Sequence, residues 1–257
     1  MSQDRPAWAA RKLLRAARSG TLATLADGQP FASLVTPASA PDLGILLLLS
    51  ELSEHTRHLR ANPNCSVLVS GTAQTANPQT TPRVSVTGSA EVVRNEALKA
   101  RYLAIHPYAA RYAGFGDFAL WRLQPRAGLY VGGFGRAARL RAAELTPNPA
   151  AVAAISAAEA TLITHCNAAE ATALAAIAGR PGAWRIVTVD IDGCDLACAE
   201  HVLRVPWSAP VETTRDLERE FLRLTGETGG QAGPRARSAA ASVPSSKTSS
   251  APPIGTP

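Results

Sequence analysis

The chain has 257 residues and a mass of 26.8 kDa, with 46% hydrophobic, 5% aromatic and 18% charged residues. This length and composition fit one large folded domain or two small ones. The net charge is +6, from 26 basic and 20 acidic residues, and the excess is spread along the chain. The charge therefore excludes a dense nucleic-acid-binding stripe, but it does not exclude an anionic small ligand.

The N-terminus and the cysteines indicate a cytoplasmic protein with no membrane contact. Residues 1–6 lack the apolar core of a signal peptide, and the longest apolar run, residues 44–49, is far shorter than the ~20 residues of a membrane span. The four cysteines are then expected to be free thiols. Cys194 and Cys198 lie beside His201, but their spacing is wrong for a zinc knuckle and no second pair follows, so no metal site is predicted.

Residues 1–145 are predicted to form a helix followed by six or seven mainly antiparallel strands. The helix covers Ala9–Arg18, and Asp27-Gly28 between two apolar runs indicates a β-hairpin. The further predicted strands are Leu43–Leu49, Cys65–Val69, Arg83–Val93, Phe118–Leu123 and Gly128–Val131, and the short helices are Ser53–Arg60 and Glu96–Ile105. A glycine inside the strand at 83–93 suggests a bulge or bend. Closure into a small barrel would remove the exposed strand edges.

Residues 146–226 are predicted to form a smaller α/β domain. An Ala-rich helical stretch runs from about Ala150 to Ala178, with a possible break at 165–167, and is followed by strands at Arg185–Asp190, Cys194–Cys198 and His201–Val205 and a helix at Thr213–Leu224. Glu159 and Glu170 are interpreted as the solvated face of the first helix. The last segment, 227–257, consists mostly of Gly, Ala, Pro, Ser and Thr without aromatic residues, so it is predicted to be a disordered tail.

The string Val131–Ala137, VGGFGRA, places three glycines around one aromatic residue and adds an arginine. Exposed backbone N–H groups and a fixed positive charge suit a phosphate or a carboxylate. A glycine-rich turn with a solvated arginine is an equally good interpretation. A dinucleotide-binding motif is excluded because no long helix and no ribose-binding acid follow.

A second string, Leu49–Leu59, runs from a buried strand into the start of a helix and reads LSELSEHTRHL. Hydroxyls, imidazoles and free N–H groups at a helix N-terminus favour an anion. Alternatively, Ser53 only caps the helix and the histidines lie on the surface. No Ser-His-Asp triad spacing appears in the chain.

These strings belong to a longer pattern: SGTLATL, PFASLVT, LLLLSELSEHTRHLRANPNCSVLV, RVSVTGSAE and GLYVGGFGRA follow one another between about Ala9 and Ala143. The pattern resembles the pyridoxamine-5′-phosphate-oxidase-like, FMN-binding split-barrel superfamily, and most closely its heme-utilisation (HugZ-type) branch. The resemblance implies an N-terminal antiparallel split β-barrel over residues 1–145. It also implies that 146–226 is the α/β domain of unknown function (DUF2470) of this branch. That domain usually carries HMNxDHADAL, whereas His165–Leu174 reads HCNAAEATAL, so the second histidine is missing.

The resemblance also implies a homodimer with two equivalent cofactor sites at the subunit interface. In oxidase members the FMN ring packs on the strand that matches 32–35, and the phosphate is held near the segment that matches 50–57. An Arg such as Arg136 would pair with a flavin phosphate or a heme propionate. The cofactor-binding residues expected in this chain are Ser33, Val35, Ser50, His55, Thr56, Arg57, Gly133, Gly135 and Arg136.

Heme and FMN both remain candidates for the cofactor. Members of the heme branch cleave the macrocycle with oxygen in the same cleft, and at least one takes its iron ligand from a histidine near the C-terminus. No histidine follows His201 here, so His55, His58 or His106 would have to serve. The sequence thus predicts an oxidoreductase that degrades heme or depends on FMN. The alternative is a non-catalytic regulator of tetrapyrrole synthesis, since a plant protein that binds glutamyl-tRNA reductase resembles the same two-domain arrangement.

Overall fold

The fold is described from a computed structural model over residues 6–73, 75–169 and 171–227. In the first part, the helices and strands are α1 (Pro6–Ala16), β1 (Gly20–Ala26), β2 (Gln29–Val35), β3 (Ala38–Ser39), β4 (Ile45–Ser50), α2 (Glu54–Ala61), β5 (Asn64–Ser70), β6 (Arg83–Val92), α3 (Glu96–Ile105), β7 (Phe118–Val131), β8 (Ala137–Arg141) and α4 (Ala142–Leu145). The strands form one antiparallel sheet in the order β2-β1-β5-β6-β7-β4-β3, and β8 pairs with β7. This arrangement confirms the predicted antiparallel barrel fold.

The barrel interior is filled by alternate residues of each strand. In β4, Ile45, Leu47 and Leu49 join the barrel core, while Leu46 and Leu48 face outward under α3. This period of two is what a strand packed on both faces requires.

The barrel is incompletely closed between β2 and β4. Strand β3 follows β2 after two residues and pairs with the start of β4, with Ala38 opposite Leu46. Extending that register would place Leu34 opposite Ser50, but within the described residues no ladder joins β2 to the second half of β4. We call this gap the split. Helix α2 packs on β1 next to it.

Two local predictions about the barrel are confirmed. Asp27 and Gly28 have φ angles of 51° and 81° and join β1 to β2, as a tight hairpin turn requires. Gly88 lies where the β6–β7 register shifts, and a Cβ there would be 2.1 Å from the carbonyl oxygen of Gln124. Only glycine allows the two strands to approach so closely.

The second part contains α5 (Pro149–Ala169), α6 (Ala171–Ala178), β9 (Arg185–Asp190), β10 (Gly193–Cys198), β11 (His201–Pro206) and α7 (Thr214–Glu227). Its three antiparallel strands have the order β11-β10-β9. One face of this sheet packs against α5, α6 and α7 around Ile155, Leu174 and Phe221. Its core is separate from the barrel core, and the boundary between residues 145 and 146 stays a prediction. Residue 170 and the predicted tail beyond residue 227 lie outside the described residues.

Helix α5 is more apolar on average than the sequence analysis expected, since that analysis found no apolar run longer than residues 44–49. Residues 149–168 reach a mean hydropathy of 1.2, which by length and composition alone would allow a membrane span, and 17% of that window is buried. Alanine raises the mean without producing a continuous run of large apolar residues. One such helix is weak support for a membrane protein, because α5 also packs on β9 as a core helix does. The cytoplasmic location stays a prediction.

The other face of the small sheet carries buried charges that meet α1 and α3. We call this group the junction network; its members are Arg11, Arg15, Arg18, Arg101, Arg204, Glu159, Asp190, Asp192 and Asp195. At its centre, Asp190 accepts from Arg101 at 2.9 Å and from Arg204 at 2.6 Å. Five arginines are therefore ion-paired with four carboxylates in this network.

The interpretation of Glu159 as part of a solvated face is wrong. Its Oε1 accepts from Arg101 at 2.8 Å and from the backbone N–H of Val189 at 2.7 Å. The carboxylate thus ties α5 to both β9 and α3. Glu170 lies outside the described residues.

Candidate functional site

The segment from Ser50 to Thr56 folds into a compact group of hydroxyls at the start of α2. The Oγ of Ser53 donates to the carbonyl oxygen of Ser50 at 2.6 Å and lies 3.0 Å from the Oγ1 of Thr56, which is fully buried. Ser53 occupies the N-cap position, but its side chain makes no capping hydrogen bond. The Ser53 side chain therefore contacts Ser50, His55 and Thr56 instead of the backbone N–H groups at the start of the helix.

His55 is the histidine best placed to meet a ligand at the split. Its Nε2 lies 2.9 Å from the Oγ of Ser53, and its Nδ1 has no hydrogen-bond partner among the described residues. Burial, and then the neighbouring His58, lower the pKa of His55. The ring is thus neutral near pH 7 and offers one unused nitrogen.

The other two candidate histidines are already engaged. His58 places its Nδ1 3.1 Å from the Oγ1 of Thr24 and its Nε2 3.9 Å from the Oε2 of Glu54, and its ring centroid lies 5.1 Å from that of Phe31. His106 is 1% exposed, with Nε2 2.9 Å from the carbonyl oxygen of Pro37 and Nδ1 3.2 Å from the hydroxyl of Tyr108. His106 therefore does not fit an iron ligand, and the role of His58 is to join α2 to β1 and β2.

The charges around the start of α2 are paired or negative. Arg57 contacts Glu54 at 2.9 Å, and the Nε of Arg60 donates to Glu51 at 2.8 Å. The Oγ of Ser50 donates to Asp117 at 2.8 Å. Three carboxylates thus surround two guanidinium groups that are already used. A doubly charged flavin phosphate would therefore have to compete with Glu54 for Arg57 and with Glu51 for Arg60.

On β2, alternate side chains point into the barrel and away from it. Val35 is 4% exposed and belongs to the barrel core, so its side chain does not face the cleft. Ser33 also points inward, and its Oγ is buried without a partner. Ala32 and Leu34 face outward, and Leu34 is 80% exposed. Because Ser33 lies on the same inward face of β2 as Val35, its hydroxyl points away from the surface that Ala32 and Leu34 form.

The Gly132–Arg136 turn closes the β7–β8 hairpin. The N–H of Gly132 donates to the carbonyl oxygen of Arg136 at 2.8 Å, and Gly133 and Gly135 have φ angles of 130° and 73°. Phe134 at the tip is 87% exposed, and Arg136 has no acidic partner among the described residues.

The two sequence strings lie at opposite ends of β7. Ser50 pairs with Phe118 at the start of this strand, and the turn follows Val131 at its end. The strand has 14 residues, or about 45 Å of extended chain. The structure therefore brings Ser50, His55, Thr56 and Arg57 close to the split, while the Ser33 and Val35 side chains point into the barrel and Gly133, Gly135 and Arg136 lie at the far end of β7 in the same chain.

A cavity of about 450 Å³ adjoins the start of α2 on the outer side of β4, β6 and β7. Its lining is apolar at Leu48, Phe118 and Leu120 and basic at Arg94 and Lys99. Glu51 and Arg60 border it, so it is continuous with the α2 segment. The sequence analysis did not find this cavity. The sequence feature that could have indicated this cavity is the pair of bases Arg94 and Lys99 around the start of α3. Asn95 marks that start, since its side chain caps α3 by accepting from the N–H of Leu98.

Asn167, one of the residues that the helix motif at His165–Leu174 retains, has a structural role. Asn167 accepts from the N–H of Ile186 at 2.8 Å and donates to the carbonyl oxygen of Ile186 at 2.9 Å. It therefore holds α5 on β9. His165 is exposed and lines a groove between α5 and α7. Within residues 6–73, 75–169 and 171–227, no three His, Cys, Asp or Glu side chains meet as a metal site.

Residues 8–132 match the pyridoxamine 5′-phosphate oxidase family. The chain is 35% identical over 133 residues to the chloroplastic non-canonical heme oxygenase HOZ of Arabidopsis thaliana. The aligned region covers 49% of this chain and 40% of that protein. It thus spans less than half the length of this curated relative.

Two similar solved structures cover nearly the whole described chain. A protein of unknown function from Agrobacterium tumefaciens has a TM-score of 0.71 at 26% identity, covering 88% of this chain and 97% of its own. A heme binding protein from Mycobacterium smegmatis has a TM-score of 0.55 at 26% identity, covering 89% of this chain and 99% of its own. Both matches therefore extend beyond the barrel of this chain into its smaller unit.

Proposed function

We propose that this chain, of which residues 8–132 match the pyridoxamine 5′-phosphate oxidase family, is a heme-binding oxidoreductase. The cofactor would lie at the split between β2 and β4, beside the start of α2. Heme degradation with oxygen is the activity that we infer. Two similar proteins support this choice, since one is a non-canonical heme oxygenase and the other a heme binding protein.

The observation that carries the proposal is the state of His55. Histidines that bind a metal almost always use one ring nitrogen for the metal and hydrogen-bond through the other. His55 has its Nε2 on the Oγ of Ser53 and its Nδ1 unused. Burial keeps the ring neutral by lowering its pKa, and only a neutral imidazole binds iron.

The remaining residues at the split fit part of such a cofactor. The outward side chains of Ala32 and Leu34 offer an apolar surface to a planar ring, and Leu34 is 80% exposed. Heme supplies the redox iron at which oxygen reacts; the protein residues bind the ring, orient it and exclude water.

FMN is the second candidate. The family match and the hydroxyls of Ser50, Ser53 and Thr56 at a helix N-terminus favour it. Three carboxylates, Glu51, Glu54 and Asp117, lie nearby and repel a doubly charged phosphate. They repel heme less, because its two propionates lie at one edge of a large apolar ring.

A titration with hemin and, separately, with FMN tests the proposal. Hemin is expected to shift the Soret band and to saturate at one per chain, whereas FMN at the same concentration leaves the flavin spectrum unchanged. The variant His55→Ala should move the Soret maximum and weaken hemin binding at least about ten-fold. His201→Ala, which removes an exposed histidine at the start of β11, is the matched control and should behave as wild type.

Three results would contradict parts of the proposal. Binding of FMN without hemin would make the protein a flavin enzyme. Binding of neither would remove both cofactors and favour the non-catalytic regulatory role. Hemin binding with an unchanged Soret maximum in His55→Ala would remove His55 as the iron ligand.

A further inference from the structure

A second cavity, of about 330 Å³, lies between α1 and the edge of the small sheet; we call it the junction cavity. Its walls are apolar at Leu13 of α1, at Pro82 before β6 and at Pro206 at the end of β11. The volume is at the lower end of the range for small-molecule sites, about 300–1,000 Å³. Tyr130, near the end of β7, also lines it, so the cavity lies at the opposite end of this strand from the split.

The junction cavity borders the buried charges of the junction network. Arg15 and Arg204 line it, and their side chains are 1% and 5% exposed. The network contains five arginines and four carboxylates, so it carries one positive charge more than its carboxylates offset. An uncompensated charge is costly to bury. An anion in the adjoining cavity would supply the missing negative charge.

The carboxylate that lines the cavity does not oppose an anion, because its charge is already offset. The two oxygens of Asp192 lie 2.9 Å from a nitrogen of Arg11 and 3.1 Å from a nitrogen of Arg15. Arg204 directs its two Nη atoms at the buried carboxylates of Asp190 and Asp195. Its Nε–H has no acceptor among the described residues, which leaves one guanidinium donor unused at the cavity.

Two further polar groups of the lining are unengaged. The Nζ of Lys12 lies 4.0 Å from the centroid of the Trp8 ring and has no carboxylate partner within the part of the chain that the structure describes. The hydroxyl of Tyr130 makes no hydrogen bond to any described residue. A partly exposed lysine over an aromatic ring is held by about 0.5–1 kcal/mol. A charge-assisted hydrogen bond is stronger than that, so Lys12 can turn toward an anion in the cavity.

We propose that the junction cavity binds a small organic anion with one carboxylate on an apolar body. The carboxylate accepts from Lys12 and Tyr130 beside the unused donor of Arg204, and the apolar body packs against Leu13 and Pro206. An inorganic anion would leave these apolar walls without a partner. The ligand contacts both α1 and β11, so it ties the barrel to the small sheet. This site is additional to the proposed cofactor site and does not depend on heme.

The test uses phenylacetate as the probe and phenylacetamide as its neutral analogue of nearly equal shape. The full chain is labelled with 5-fluorotryptophan at its four tryptophans, and the fluorine signal of Trp8 is assigned with Trp8→Phe. Phenylacetate is expected to shift the Trp8 signal and to saturate it in the millimolar range, because Lys12 leaves the indole ring. The signals of Trp121 and Trp184 should stay in place. Phenylacetamide should bind at least about ten-fold more weakly.

Two variants and a control locate the bound probe. Lys12→Met keeps the length of the side chain and should weaken phenylacetate binding at least about ten-fold. Tyr130→Phe removes only a hydroxyl and should weaken it about three-fold, which guards against a disturbed α1 in the first variant. Lys99→Met is the matched control, because it removes the other lysine of the described residues, in the cavity beside α2. This variant should bind phenylacetate as wild type does.

Three results would overturn the proposal. The first is a Trp8 signal that phenylacetate does not move, and the second is equal affinity for the acid and its amide. The third is weakened binding in Lys99→Met with wild-type binding in Lys12→Met, which would place the anion in the cavity beside α2. Because the two sites lie at opposite ends of β7, saturating phenylacetate should leave the hemin affinity unchanged. A failure of hemin to bind would refute only the proposed function.

Discussion

Replacement of Asp190 by Asn is expected to be one of the most destabilising single changes in the chain. The carboxylate lies among Arg15, Arg101 and Arg204, with nitrogen–oxygen distances of 3.3, 2.9 and 2.6 Å. Burial by itself would raise the pKa of Asp190, but the three guanidinium groups outweigh it and hold the pKa well below its usual range. Asp190→Asn keeps the shape and removes the charge, so buried arginines lose their counter-ion.

Breaking a buried ion pair by removing one partner costs about 3–5 kcal/mol. A domain has only about 5–15 kcal/mol in total, so urea denaturation at pH 7 should show a large fall in the midpoint. The control is Glu200→Gln, which removes an ion pair with Arg111 at the same junction. There the side chains are 59% and 73% exposed, so the loss should stay below about 1 kcal/mol.

The pH dependence follows from the sign of the shift. Because the pKa of Asp190 is lower in the folded protein than the ordinary value of about 3.9, its contribution is complete above that value and is lost as the pH falls below it. The difference between wild type and Asp190→Asn should therefore be constant from pH 5 to 8. Equal losses for Asp190→Asn and Glu200→Gln would refute the reasoning.

Two further predictions concern the barrel. Gly88→Ala should cost about 1–3 kcal/mol or more, because the added Cβ would lie 2.1 Å from a backbone oxygen of Gln124; an unchanged melting temperature would show that the β6–β7 bulge relaxes freely. Burial raises the pKa of the Cys65 thiol to about 12, so about one molecule in ten thousand is thiolate at pH 8. Iodoacetamide should label the partly exposed Cys198 first, and rapid labelling of Cys65 in the native protein, read by mass spectrometry, would contradict its burial.

The barrel strands were predictable where apolar residues alternate and turn residues separate them. The sequence analysis divided β7 into Phe118–Leu123 and Gly128–Val131, because Pro125 lies between the two runs. The structure has one continuous strand, since Pro125 sits where the register with β6 shifts and its missing N–H is tolerated. Strand β8 was missed because Leu140 is its one buried side chain.

The site could be predicted only in part, because ion pairing is a long-range property. The helix start at Ser50–Thr56 is a local pattern, and the sequence shows it. The pairing of Arg15 with Asp192 joins residues 177 positions apart, and no local spacing indicates it. The pairing of Arg57 with Glu54 is different, because the two residues lie three positions apart on α2 and their spacing alone indicates the ion pair.

The most direct test of the central claim follows the fate of bound heme. The hemin complex of the full chain is mixed with a reductant in the presence of oxygen, and the Soret band and the products are followed by absorbance and mass spectrometry. The account predicts loss of the Soret band together with release of a linear tetrapyrrole, and a slower reaction in His55→Ala. A Soret band that persists, with no ring-opened product, would contradict heme degradation and would leave a heme-binding protein without this activity.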